Sequence, residues 1–137
     1  MIPLLRSIVL DAEALSALAQ TDRRMQVWAA VAKRTGATLA ASTLTLAEIT
    51  DGSPRDANVR RIVKAVRFEP VTDALGYRAG ELGAAAGLLP RKPRDLTVDA
   101  VVAATALAMP PPVVVLTSDP DDLKLLLTGT KVDVHGI

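Results

Sequence analysis

The sequence predicts an α/β sandwich built on a mostly parallel sheet. Three observations point to it. The runs Ser7–Leu10 and Val113–Leu116 are apolar and rich in β-branched residues, without the alternation of a half-buried strand, as in strands covered on both faces. Stretches of helical length separate such runs all along the chain, the order that calls for helices packed on both sides of a sheet. At 137 residues the chain can bury roughly 70% of its unfolded surface in a single domain, here residues 1–137.

The elements follow in order. Ser7–Leu10 is the first strand and Asp11 ends it. Ala12–Ala19 is an Ala/Leu helix. Thr21-Asp22 caps a second helix over 23–34, with Met25, Trp28, Ala29 and Ala32 on one face and Gly36 closing it. Thr38–Ala41 is a second strand, and Ser42 or Thr43 caps a short helix through Ile49. Asp51-Gly52-Ser53-Pro54 is a turn. Residues 55–65 read as one helix, with Val59, Ile62 and Val63 at helical spacing. Residues 66–71 alternate as a strand near a sheet edge, because Pro70 cannot serve a central ladder. Thr72 or Asp73 caps a helix to about Ala86, and a loop follows from 87 to 93. Asp95 caps a helix to Met109, and three prolines break the chain there. Val113–Leu116 is the clearest buried strand. A short helix over 119–127 and a last strand over 132–134 complete the order.

Composition excludes several function classes. Half the residues are apolar and 23% are charged, which is globular rather than disordered. The charges, 16 Lys+Arg against 15 Asp+Glu, exclude a broadly basic nucleic-acid coat, so any such contact is a local patch. There is no cysteine, hence no disulfide, thiolate zinc site or cysteine nucleophile. The one histidine, His135, supports neither a Ser-His-Asp triad nor a multi-His metal cage. Arg6 and Asp11 interrupt the apolar start, which argues against a signal peptide. The uncharged stretch 100–118 is split by Pro110, Pro111 and Pro112, which argues against a membrane span. The expectation is a cytosolic protein with no membrane contact, and any chemistry falls to carboxylates.

Those carboxylates are informative by position. Asp11 follows the first buried strand and Asp119 the strongest one. The carboxyl ends of strands are where open parallel sheets bind ligands. Glu48 lies on the helix after the second strand. Asp99 lies one turn into a nearly all-apolar helix, where a charge needs a partner or an ion. Three have a bland alternative: Asp11 and Asp119 as helix caps, Glu48 as an exposed side chain. Together they map to one rim of the sheet. Converging carboxylates repel one another, and a divalent cation offsets that repulsion. With only oxygen donors at hand, Mg²⁺ is expected, with Mn²⁺ as the alternative.

Four segments carry a family resemblance: Val9-Leu10-Asp11-Ala12-Glu13-Ala14-Leu15, Thr45-Leu46-Ala47-Glu48-Ile49, residues 99–107 beginning Asp99-Ala100-Val101, and Leu116-Thr117-Ser118-Asp119-Pro120-Asp121-Asp122-Leu123. In this order and spacing the chain resembles a PIN domain, and more narrowly a VapC-type toxin of bacterial toxin–antitoxin pairs. The resemblance implies a PIN-like three-layer sandwich with sheet order 3-2-1-4-5. It implies a Mg²⁺-dependent endoribonuclease, a homodimer inhibited by a cognate antitoxin, leaving 5′-phosphate and 3′-hydroxyl ends on a tRNA, rRNA or mRNA. By position, Asp11, Glu48, Asp99 and Asp119 match the acidic metal site. Asp122 matches a further frequent acid, with a helix residue supporting the site as the alternative, and Thr117 a hydroxyl that orients a carboxylate or water. Two departures stand out. Glu13 occupies a position that is usually small or polar, and the segment before Glu48 has Ala41-Ser42 where a proline is common.

Alternatives from other classes are a catalytically inactive binding module of this fold, a receiver-like signalling domain, and a strand-end Asp-x-Asp phosphatase. Glu13 is a poor second acid for the last two, and a receiver's lysine after the last strand is missing. Ser16, Ser42 and Ser118 lack a histidine base nearby in sequence. Gly80, Gly83 and Gly87 do not follow a strand, so they make no dinucleotide loop.

Arg91, Lys92 and Arg94, just before the Asp99 helix, are the basic residues best placed for RNA phosphates or an acidic antitoxin segment. A second run, Arg55, Arg60, Arg61, Lys64 and Arg67, is more simply a solvated face. With one Trp, one Tyr and one Phe, stacking of single-stranded bases is poorly provided for, and recognition of a folded RNA by shape fits better. Neutralising Arg91, Lys92 and Arg94 together is expected to weaken RNA binding and to flatten its log–log salt slope by up to about 2. Filter binding across a salt series checks this; an unchanged slope rejects the assignment.

Overall fold

The computed structural model describes residues 4–88 and 95–137. Five strands form one sheet: β1 (Ser7–Leu10), β2 (Thr38–Ser42), β3 (Arg67–Glu69), β4 (Val113–Thr117) and β5 (Asp133–Gly136). Their order is β3-β2-β1-β4-β5, and every pairing is parallel. The helices are α1 (Ala12–Ala19), α2 (Arg23–Thr35), α3 (Thr43–Ile49), α4 (Ala57–Ile62), α5 (Asp73–Gly87), α6 (Thr97–Ala108) and α7 (Pro120–Leu126). The result is the PIN-like α/β sandwich expected. A receiver domain's order, 2-1-3-4-5, is not what the chain adopts.

Strand periodicity divides the apolar side chains between two cores. Val9, Ala40, Val113 and Val115 face α5, α6 and α7 on one side. Ile8, Leu10, Leu39, Ala41, Val114 and Leu116 face α1, α2 and α4 on the other. All residues of β1 and β4 are buried, which explains why neither strand alternates in sequence. Small residues fill the faces between layers, such as Ala100, Ala103, Ala104 and Ala106 on α6, so helices and sheet approach closely. His135 lies on the edge strand β5 and meets Trp28 of α2 edge-on, ring centroids 5.3 Å apart.

Local chemistry sets the element ends. Ser42 caps α3 by accepting from the Leu44 N–H at 3.1 Å, and Thr72 caps α5 by accepting from Leu75 at 3.2 Å. Gly36 ends α2 at φ +75°, a left-handed position suited to glycine. Several boundaries differ from expectation: β3 is shorter, 67–69 rather than 66–71, and three further departures stand out. Residues 55–65 are no single helix: α4 is flanked by 3₁₀ turns, Pro54–Asp56 and Val63–Ala65. The buried Asp56 carboxylate explains the break, because it accepts the Asp51 and Gly52 N–H groups at 3.2 and 2.8 Å and ties the start of this segment to the preceding turn. The last strand is shifted to 133–136, where it completes its ladder with β4. Helix α6 starts at Thr97, with Leu96 at the cap position, while Asp95 accepts from both the Thr97 amide and its hydroxyl.

The topology positions the site. The chain builds outward from β1 through β2 to β3, then crosses back to place β4 on the other side of β1. The order reverses between β1 and β4, and the crevice outside their carboxyl ends is where such sheets bind ligands. Among the described residues, no helix is long and apolar enough to cross a membrane.

Candidate metal centre

The backbone brings the two strand-end acids to this crevice. Leu10 and Leu116 pair across the sheet, and the Asp11 N–H extends the ladder by donating to the Leu116 carbonyl at 3.2 Å. Asp11 is almost fully buried. One carboxylate oxygen, Oδ1, accepts the Ala14 N–H at 2.9 Å and caps α1. The cap reading is therefore correct for Asp11, but it uses one oxygen of two. Asp119 behaves differently. It holds the cap position of α7 with no side-chain capping bond. Its own N–H donates instead to the buried Thr117 hydroxyl at 2.9 Å. Thr117 thus orients the Asp119 backbone, while its carbonyl accepts the Ile137 N–H at 2.9 Å and anchors the chain after β5.

Three carboxylates converge. Asp99, Asp119 and Asp122 each present an oxygen, and all three oxygens lie within 4.8 Å of one another. Asp99 and Asp119 are half-buried and Asp122 is buried. Opposite ligands on a Mg²⁺ ion are about 4.2 Å apart, twice the ordinary Mg–O distance, so small side-chain rotations bring these oxygens to one ion. The donor set is all oxygen and therefore hard, which fits Mg²⁺ or Mn²⁺ and not a soft metal. Sequence reasoning assigned Asp122 only a supporting role. Its burial beside the other two makes it an equal member of the cluster, and its spacing from Asp119, a single helical turn, was the available signal.

Glu48 and Glu13 complete the acidic rim. Glu48 is exposed at the end of α3, yet its proton affinity is raised above the ordinary glutamate range. Partial desolvation is the largest cause, followed by repulsion from Asp99, Asp11 and Glu13. Glu48 therefore faces the same field as the acids of α1 and α6. Glu13, the residue that departs from the family pattern, is exposed and adds to that field. Among the described residues, Asp99 connects the two sets, belonging to the three-carboxylate cluster and acting on Glu48. Thr45, one turn before Glu48 on α3, is fully buried, and its hydroxyl has no hydrogen-bond partner among the described residues; no pattern in the sequence marked it. Arg91, Lys92 and Arg94 lie outside the described residues.

Helix ends temper the repulsion. Asp11 caps α1, Asp99 lies in the first turn of α6, and Asp121 and Asp122 lie in the first turn of α7. The amino end of a helix carries partial positive charge and favours carboxylates there, typically by about 0.3–1 kcal/mol each.

No family model and no curated protein match the sequence. Solved structures do match the fold. One chain of the structure of VapBC2 from Rickettsia felis, bound to a DNA fragment from its promoter, superposes with a TM-score of 0.69 at 11% identity, covering 95% of this chain and 98% of that one. A chain of FitAB bound to the IR36 DNA fragment superposes with a TM-score of 0.66 at 18% identity, covering 94% of each. At these identities the likeness establishes a common fold over nearly the whole length.

The raised proton affinity of Glu48 has a signed consequence for stability. The folded state favours protonated Glu48, so this stabilising effect is complete below the ordinary glutamate range and is lost as pH rises through the folded value. At pH 7 without metal, Glu48→Gln is expected to raise the Tm by ~1–2 °C, because repulsion at an exposed site is worth about 0.5 kcal/mol after screening. The gain is expected to vanish below about pH 4. Calorimetry in EDTA checks it; a lowered Tm at pH 7 would show that Glu48 is not repelled by its neighbours.

Proposed function

We propose that this chain is a Mg²⁺-dependent endoribonuclease of the VapC toxin kind, a cytosolic homodimer that hydrolyses RNA phosphodiester bonds and is inhibited by a cognate antitoxin. The observation that carries the proposal is the convergence of Asp99, Asp119 and Asp122 at the crevice between β1 and β4, with Glu48 repelled by Asp99 and Asp11 alongside. Two further facts support it. The motifs holding these acids are the ones that resemble VapC toxins, and the fold is shared with a chain of a complex named VapBC2.

In this reading Asp99, Asp119 and Asp122 hold the metal, and Asp11 joins them through the oxygen that does not cap α1. A bound Mg²⁺ supplies two effects, a lowered pKa for a coordinated water and stabilisation of charge on the phosphate oxygens. Thr117 fixes the Asp119 backbone so that its carboxylate keeps its place. Glu48, whose affinity for a proton is raised, positions the attacking water and accepts its proton. The resulting cut leaves a 5′-phosphate and a 3′-hydroxyl.

Asp11→Ala and Asp99→Ala are each expected to abolish Mg²⁺-dependent cleavage of RNA. The loss should exceed the ~100-fold typical of removing a mere supporting partner of a metal ligand, while far-UV circular dichroism stays that of the parent. Gel assays of a labelled RNA check both. Full activity in either variant, or in excess EDTA, would refute the proposal.

A further inference from the structure

We infer that the polar cleft beside Glu48 seats one unpaired nucleobase of the RNA substrate, its edge read by the side-chain amides of Gln20 and Asn58. The inference rests on the ribonuclease reading and extends it to a specificity subsite. The cleft has a volume of about 500 Å³ and lies between α1, the end of α3, the turn at 51–56 and α4. That is within the roughly 300–1,000 Å³ of small-molecule sites. Glu48 lines it and is also repelled by Asp99 and Asp11, so this one side chain links the cleft to the acidic rim, where the scissile phosphate would lie.

Its chemistry selects a base over a phosphate. Glu48 turns its charge toward the acidic rim, and the other charged groups of the wall, Asp51, Arg55 and Asp56, have partners of their own. The Arg55 guanidinium meets the Asp51 carboxylate at 3.3 Å, and the Asp56 carboxylate accepts two backbone N–H groups. What remains is neutral and hydrogen-bonding: the Ser16 hydroxyl and the Gln20 and Asn58 amides. A side-chain amide both donates and accepts, which is how Asn and Gln read base edges. Gln20 Nε2 donates to Ser16 Oγ at 3.2 Å on the exposed surface, a weak bond that a base can replace. Ile49 and Val59 add apolar surface. No aromatic ring lines the cleft, so the base is held by its edge and not by stacking. The braced Asp51–Asp56 turn keeps the far wall in place before substrate arrives, which lowers the ordering cost of binding.

The test maps cut positions of the full chain in Mg²⁺ on an RNA pool with randomised sequence. The parent is expected to prefer one base at a fixed position next to the cut. Gln20→Ala and Asn58→Ala, both exposed changes, are each expected to relax that preference tenfold or more in relative kcat/KM, with unchanged Mn²⁺ affinity. A preference that is absent in the parent, or undiminished in both variants, overturns the subsite. If the parent cuts no RNA at all, the ribonuclease reading fails separately. The subsite is then decided by NMR with the four 5′-mononucleotides at millimolar concentration. Shifts of the Gln20 and Asn58 side-chain amides sustain a nucleobase site, and no shift with any of the four overturns it.

Discussion

Like charges gathered at one rim of the sheet govern how this protein is built. A protein interior resists close carboxylates, because each raises the proton affinity of the others. Glu48 displays this directly, since the neighbours that raise its proton affinity are acids carried by α1 and α6. Asp99, Asp119 and Asp122 each bring a carboxylate oxygen within 4.8 Å of the others. Such an arrangement opposes folding unless something offsets it. The helix amino ends at Asp11, Asp99 and Asp122 offset a part. In the proposed reading a divalent cation offsets a further part.

The fold is suited to sustaining that tension. Strands β1 and β4 are the most deeply buried elements, packed on both faces by separate cores. They supply a rigid base from which Asp11 and the 117–119 segment project. The backbone ladder runs to the last possible residue, the Asp11 N–H still bonding across to β4. Thr117 then turns its hydroxyl to the Asp119 amide. A helix cap, a ladder bond and a buried hydroxyl thus position groups that would otherwise drift apart.

Much of this was legible in the residues. The unalternating apolar runs of β1 and β4 identified strands buried on both faces, and Gly36 and Ser42 marked helix ends because their roles depend on local chemistry alone. The acids at strand ends could be assigned to one rim from the order of elements. What could not be read was settled by contacts distant in sequence or by side-chain rotation. Asp56 breaks the helix expected over 55–65 by bonding to amides of the preceding turn, and nothing in its own neighbourhood announces that. Asp11 caps its helix and Asp119 does not, though both follow buried strands, because the difference lies in where the side chain turns. The weight of Asp122 emerged only once α7 was packed against α6 and the sheet.

A cation bound at the β1–β4 crevice is what the proposed chemistry requires. Crystals grown with Mn²⁺, with data collected at the manganese absorption edge, locate it directly. The expected result is an anomalous peak among the Asp99, Asp119 and Asp122 carboxylates at about 2.1 Å from their oxygens. Well-ordered density for these three side chains with no peak between them, at a Mn²⁺ concentration of several millimolar, would contradict it.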